Sequence, residues 1–169
     1  MTLALHTTVR RAASPDTAVV EDILNEASRW ADARSGVVMW GEGELASVSI
    51  AAEVQAGMFF IAEADGEPAG VIRFQLEDLL FWPDLAAPAE SAFIHRLAVR
   101  RRFAGRGVST ALLAWAVAHA GVLGKRYLRL DCDDERVRLK ALYETFGFRL
   151  HSHRQVGSYY VARYEYELG

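Results

Sequence analysis

The stretch RRFAGRG, residues 101–107, places three arginines and two glycines immediately before VSTALLAWAV, whose apolar spacing predicts a helix. The first N–H groups of a helix have no intrahelical partner and carry the positive end of its dipole, so a glycine turn opening a helix cradles anions. Gly105 and Gly107 allow positive φ or a close approach of backbone to ligand, and Arg100, Arg101, Arg102 and Arg106 could add charge-assisted hydrogen bonds. The chemistry implied is binding of a phosphate or pyrophosphate; the bland alternative is a surface turn whose arginines face water. Two common phosphate motifs do not apply. No Lys precedes Ser109 or Thr110, so the phosphate loop of NTPases is absent, and Thr110 stands where GxGxxG needs its third glycine. His151 and His153 fall on one strand face without a third ligand nearby, so no metal is assigned. Cys132, the single cysteine, excludes an internal disulfide and a cysteine-rich zinc site, and it suits a reducing cytoplasm.

Positioning this turn requires a fold, and the periodicities supply one. Residues 5–12 are rich in β-branched side chains and predict a strand. Ser14, Pro15 and Asp16 then offer an N-cap, a first-turn proline and a first-turn acid for a helix over 16–34, with Val19, Ile23, Leu24, Ala27 and Trp30 at helical spacing. A shorter helix is expected over 44–56. Two apolar runs joined through Asp-Gly and Glu-Pro predict an antiparallel hairpin of strands 58–64 and 69–77. After a Pro- and Ala-rich loop, 81–90, the strand SAFIHRLAVR should alternate, with Phe93, His95, Leu97 and Val99 on one face.

The quoted turn leads into a helix over 107–121 with an apolar stripe of Val108, Ala111, Leu112, Trp115 and Val122. A strand over 127–133, a helix over 134–146 carrying Val137, Ala141, Leu142 and Phe146, and a closing pair of strands over 148–155 and 158–168 complete the order β α α β β β α β α β β. Hairpin links mixed with helical links imply an α/β protein with a mixed, mostly antiparallel sheet and helices packed against it.

With 169 residues, 51% of them hydrophobic, a full core is available to a single domain over 1–169. The formal net charge of -3 makes no global case for nucleic acid or an anionic membrane as partner, so an anion site must be local. The N-terminus lacks the basic flank and long apolar core of a signal peptide. The longest apolar run, 111–124, is broken by His119 and too short to span a bilayer. The expectation is a soluble, cytoplasmic protein.

Arg102 to Gly107 form the pattern RxxGxG, preceded by a strand ending in LAV and followed by the helix beginning VSTALLAWA; downstream, LYETFGF follows at a fitting distance. In these motifs the chain resembles the GNAT superfamily of acetyl-CoA-dependent N-acetyltransferases, most specifically over residues 91–149. The resemblance implies the acyl-CoA N-acyltransferase fold, with helices on both faces of the sheet. It implies that the backbone of Leu97, Ala98 and Val99 pairs with the pantetheine arm where the sheet splays between the strands at 91–100 and 127–133. The pyrophosphate would be held by the segment Arg102, Gly105, Arg106, Gly107, Val108, Ser109 and Thr110. One departure stands out: many members carry an Asn seven residues before the motif tyrosine, where this chain has Arg136.

The resemblance also implies roles. Tyr143 occupies the position of the general acid toward the coenzyme sulfur, and a phenol suits a thiolate leaving group; the alternative is a tyrosine that only packs on Phe146 and Phe148. The run HRLAV is similar to the corresponding strand of arylalkylamine N-acetyltransferases, in which a histidine two residues before LAV helps deprotonate the amine. Imidazole titrates near neutrality and suits that task, although His95 could instead be a satisfied histidine that shapes the pocket. Glu90, Asp131 and Glu63 are further candidate bases. A backbone N–H near Leu97 or Ala98 would stabilise the oxyanion. Trp30, Trp40, Phe81 and Trp82 could line an acceptor pocket or belong to the core. Together these imply direct acetyl transfer from acetyl-CoA, without a metal, to a small-molecule amine; many relatives dimerise, so a homodimer is the oligomer to test. The alternatives are an acyl-CoA-binding sensor without turnover and a nucleotide-binding protein.

Overall fold

The computed structural model describes residues 5–35 and 47–169. Trp40 and the start of the expected second helix lie outside the described residues. The elements run β1 (Thr7–Arg11), α1 (Thr17–Ser35), α2 (Ser47–Gln55), β2 (Phe59–Ala64), β3 (Glu67–Gln75), β4 (Ser91–Val99), α3 (Val108–Val122), β5 (Tyr127–Asp133), α4 (Val137–Phe146), β6 (Arg149–Val156) and β7 (Tyr159–Glu167). The strands form a seven-stranded sheet in the order β1-β2-β3-β4-β5-β7-β6. β1–β2, β2–β3, β5–β7 and β6–β7 pair antiparallel and β4–β5 parallel, which bears out the mixed, mostly antiparallel α/β reading. No described helix is long and apolar enough to cross a membrane. The chain divides into two compact units, Met1–Arg73 with Arg96–Leu112, and Phe74–His95 with Leu113–Gly169.

In the first unit, Val20, Ile23 and Leu24 of α1 and Ile50 and Val54 of α2 bury their apolar faces in one cluster with Phe59, Ile61, Val71 and Ala98. The start of α1 differs from expectation. Ser14–Asp16 is a 3-10 turn whose cap is Ala13, and it is Asp16, not Ser14, that accepts the Ala13 N–H, at 2.8 Å, while also pairing with Arg10. The tighter turn carries the first-turn acid back to the cap, where its charge meets the unsatisfied amide.

In the second unit, β5 pairs with β7 along its whole length, Tyr127↔Glu167 to Asp133↔Val161, whereas its parallel ladder with β4 covers only Ser91↔Tyr127 to Phe93↔Arg129. The expected divergence of these two strands therefore begins after Phe93.

Val108 and Leu112 of the α3 stripe are buried as expected, but the stripes of α3 and α4 each include an outward-facing residue. Val122 is 83% exposed; the buried residues of α3 are Val108, Leu112, Leu113, Ala116 and Ala120, and at 100° per residue position 122 points well away from them. Val137 is 73% exposed, and Tyr143 is the buried residue of α4. That helix also starts at 137, not 134, because Asp133 first closes a turn: its carboxylate accepts the Glu135 N–H at 2.9 Å and its carbonyl the Arg136 N–H at 3.0 Å.

Candidate active site

Gly105 and Gly107 both adopt left-handed φ, +71° and +88°, and a Cβ built on either meets no atom within 4 Å. The turn therefore delivers the chain to Val108 with open space beside it, the form a backbone anion cradle requires. The arginines behave otherwise than their number suggests. Arg100 reaches Asp22 at 2.6 Å and the Pro68 carbonyl at 3.2 Å; Arg101 lies over Trp30; Arg102 pairs with Glu67 at 2.7 Å; Arg106 lies over Phe103. Three of the four thus tie the turn to α1 and β3. Trp30, considered for an acceptor pocket, serves here as a platform for Arg101.

Behind the cradle, β3 and β4 come unusually close. Gly70 sits where any Cβ would lie 2.9 Å from the Ala98 carbonyl oxygen and 3.2 Å from side-chain atoms of both Val108 and Leu112. Leu97, Ala98 and Val99 end β4 just after a backbone irregularity within it: Arg96 has φ +56°, in the left-handed region. The uniform alternation expected from Phe93 to Val99 is interrupted there, and Ala98 turns into the core.

His95 lies two residues beyond the last β4–β5 pair. Its Nε2 is 2.8 Å from Asp78 Oδ2, its Nδ1 is 3.7 Å from Asp131 Oδ2 on β5, and Phe81 packs on the ring at a centroid distance of 5.8 Å. Asp78 is held by its own turn: Oδ1 accepts the Phe81 N–H at 3.0 Å, and the carbonyl accepts the Trp82 N–H at 3.2 Å. Burial works against ionisation of Asp78, but hydrogen bonding and charge from His95, with the backbone amides of Phe81 and Leu80, outweigh it and hold the carboxyl below its ordinary range. The ligand atoms of Asp78, His95 and Asp131 lie within 4.8 Å of one another. The imidazole stands between the two carboxylates with a different nitrogen toward each.

The segment that carries Asp78 is anchored by two buried arginines. Arg163 of β7 donates to both oxygens of Asp84, at 2.7 and 3.1 Å, and to the Phe81 carbonyl at 3.1 Å. Trp82 is buried with the guanidinium carbons of Arg163 and Arg129 at 4.6 and 5.3 Å from its ring centre. Trp82 and Asp78 also line a cleft of about 340 Å3 with Leu76, Leu79, Pro88 and Phe93.

Tyr143 is buried against Phe148 and Tyr164. Burial first, then the charges of Cys132 and Asp131, raise its phenol above the ordinary range. Burial and Asp131 push the Cys132 thiol up to about 12. His151 and His153 do not converge: a register shift falls between Leu150 and Ser152, His151 meets Trp82 and Ser152, and His153 meets Asp134 and Tyr160. Sequence reasoning missed Asp78, whose one local signal is an acid placed three residues before a turn amide, and Gly70, which has none.

The mixed seven-stranded sheet with its helices is consistent with the α/β fold of GNAT acetyltransferases. The family described as Acetyltransferase (GNAT) matches residues 19–148, and the chain belongs to it. A curated relative, the uncharacterized N-acetyltransferase YesJ of Bacillus subtilis, is 33% identical over 103 residues, covering 59% of this chain and 57% of that protein, so the chain aligns with little more than half of this relative's length. Among solved structures, a GNAT-family acetyltransferase from Listeria monocytogenes superposes with TM-score 0.80 at 24% identity over 99% of each chain. The yncA protein of Salmonella typhimurium, solved with acetyl-CoA, superposes with TM-score 0.73 at 16% identity over 97% of this chain and 95% of that one. At these identities the likeness shows the fold.

Proposed function

We propose that this chain is an N-acetyltransferase that passes the acetyl group of acetyl-CoA directly to the primary amine of a small molecule. The observation that carries the reading is His95, held between two carboxylates just past the point where β4 and β5 stop pairing. In this reading the amides of the segment Arg102 to Thr110, opened by Gly105 and Gly107, take the coenzyme diphosphate, and the backbone of Leu97, Ala98 and Val99 takes the pantetheine arm. The neutral amine attacks the thioester carbonyl, a C–N bond forms, and the C–S bond breaks. His95 takes the proton released by the amine, a backbone N–H near Leu97 or Ala98 steadies the oxyanion, and Tyr143 protonates the departing thiolate. A phenol raised by burial keeps its proton at every physiological pH but is a weaker acid than a free tyrosine, so the donation has to be driven by the thiolate charge that develops as the C–S bond breaks.

Direct transfer is supported by Cys132. It is the chain's one cysteine, it is buried, and a thiol pushed up to about 12 supplies almost no thiolate to form an acetyl-enzyme. The cleft beside Asp78 offers apolar walls to the body of an acceptor. A cytoplasmic site of action, where acetyl-CoA and free thiols coexist, belongs to the same reading.

The test is thiol release from acetyl-CoA against a panel of amines, with calorimetry of coenzyme binding. Turnover on at least one amine, and loss of the acidic limb of the rate profile in His95→Ala, are expected. Binding without turnover on any amine would make the chain a sensor, and ATP binding as tight as coenzyme A binding would make it a nucleotide-binding protein.

A further inference from the structure

The two ring nitrogens of His95 are not equivalent. Nε2 sits at hydrogen-bond distance from Asp78, 2.8 Å, whereas Nδ1 stands 3.7 Å from Asp131, too far for a direct hydrogen bond. The side chains of His95, Asp78 and Asp131 are only 9%, 3% and 6% exposed, so water competes little with these contacts. A neutral imidazole has one N–H, and its place is set by the strongest acceptor it can reach. That acceptor is the Asp78 carboxylate, which is immobilised by the amides of Phe81 and Leu80 and, through its turn, by the Arg163–Asp84 pair. The proton therefore sits on Nε2, and the basic lone pair is left on Nδ1.

We infer that Nδ1 of His95 is the atom that takes the proton from the acceptor amine, and that Asp78 is the positioning residue that sets this tautomer and the ring's orientation. The inference rests on the proposed base role of His95 and adds which nitrogen acts and what aims it. In the step, an N–H bond of the amine breaks, its proton joins Nδ1, and the resulting imidazolium lies between two carboxylates, Asp78 from the segment after β3 and Asp131 from β5. The Phe81 ring packs on the imidazole as well.

The experiment is nitrogen-15 NMR of protein labelled at histidine, at a pH where imidazole is neutral, with the His95 signals identified among the five histidines by their loss in His95→Gln. The expected wild-type pattern is a protonated Nε2 and an unprotonated Nδ1. In Asp78→Asn the two tautomers should mix, and kcat should fall about ten- to a hundredfold with little change in the KM for acetyl-CoA. A wild-type ring protonated on Nδ1, or an Asp78→Asn variant with unaltered tautomer and kcat, overturns the inference. If Asp78→Asn fails to fold, the wild-type spectrum alone decides. Failure of the base reading would look different: His95→Gln would keep the full wild-type rate profile, whatever the tautomer.

Discussion

Replacing Gly70 with alanine should damage the protein although no catalytic group is touched. The new methyl carbon would lie 2.9 Å from the Ala98 carbonyl oxygen, a distance that real Cβ atoms do not show, and 3.2 Å from Val108 Cγ1 and Leu112 Cδ1. The side chains can yield a few tenths of an ångström by adjusting rotamers. The carbonyl belongs to β4 and moves only with its strand, and the neighbouring strands are tied by the bond from Arg100 N–H to the Ala69 carbonyl at 2.8 Å. Overpacking of this kind costs about 1–3 kcal/mol, which for a chain of this length lowers Tm by roughly 2–12 °C. Because Ala98 and Val108 lie in the proposed coenzyme site, affinity for coenzyme A should fall with stability, by roughly fivefold for each ~1 kcal/mol of strain retained in the complex. Differential scanning calorimetry and titration calorimetry read the two effects. Gly121→Ala is the control: its Cβ would meet only Leu168 Cδ2, at 3.5 Å, and alanine should be neutral or stabilising by up to about 1 kcal/mol there. Equal Tm and equal coenzyme affinity for wild type and Gly70→Ala would refute the close-approach argument.

Other variants probe the remaining contacts. Tyr143→Phe should lower kcat by about ten- to a thousandfold with coenzyme affinity little changed, and wild-type turnover would remove its role as acid. Gly107→Val forces a β-branched residue to φ +88° and crowds the cradle, so coenzyme binding measured by calorimetry should weaken while an unimpaired affinity would contradict the placement. Hydrogen bonding to Arg163 holds the Asp84 carboxyl at about 2, below its ordinary 3.8, so this pair stabilises the fold above pH 3.8 and loses its contribution as pH falls toward 2. The stability gap between wild type and Asp84→Asn in denaturant titrations should shrink across that window. Cys132 should resist iodoacetamide at neutral pH in the native protein and react once unfolded, as followed by mass spectrometry.

Much of the fold and half of the candidate site were legible in the linear chain because their causes are local. Helical and strand periodicities, the Asp-Gly hairpin and the glycines at 105 and 107 each act within a few residues, and the structure places elements where these patterns predict them. The misplaced stripe residues, Val122 and Val137, show the limit: an apolar side chain at roughly helical spacing does not reveal which face its helix turns to the core.

What the sequence by itself determined is the order of elements and the glycine turn that frees the amides of α3, since backbone conformation follows from short-range sterics and capping. Only tertiary structure decided the partners. Asp78 meets His95 across 17 residues, Arg163 meets Asp84 across 79, and Arg100 meets Asp22 across 78. Those meetings depend on strand order and on register, where a slip of one residue reverses every side chain; the left-handed Arg96 likewise interrupts the even alternation of β4. Charge was the least legible property for the same reason: four arginines beside a glycine turn suggest phosphate contacts, and the fold commits three of them to α1 and β3.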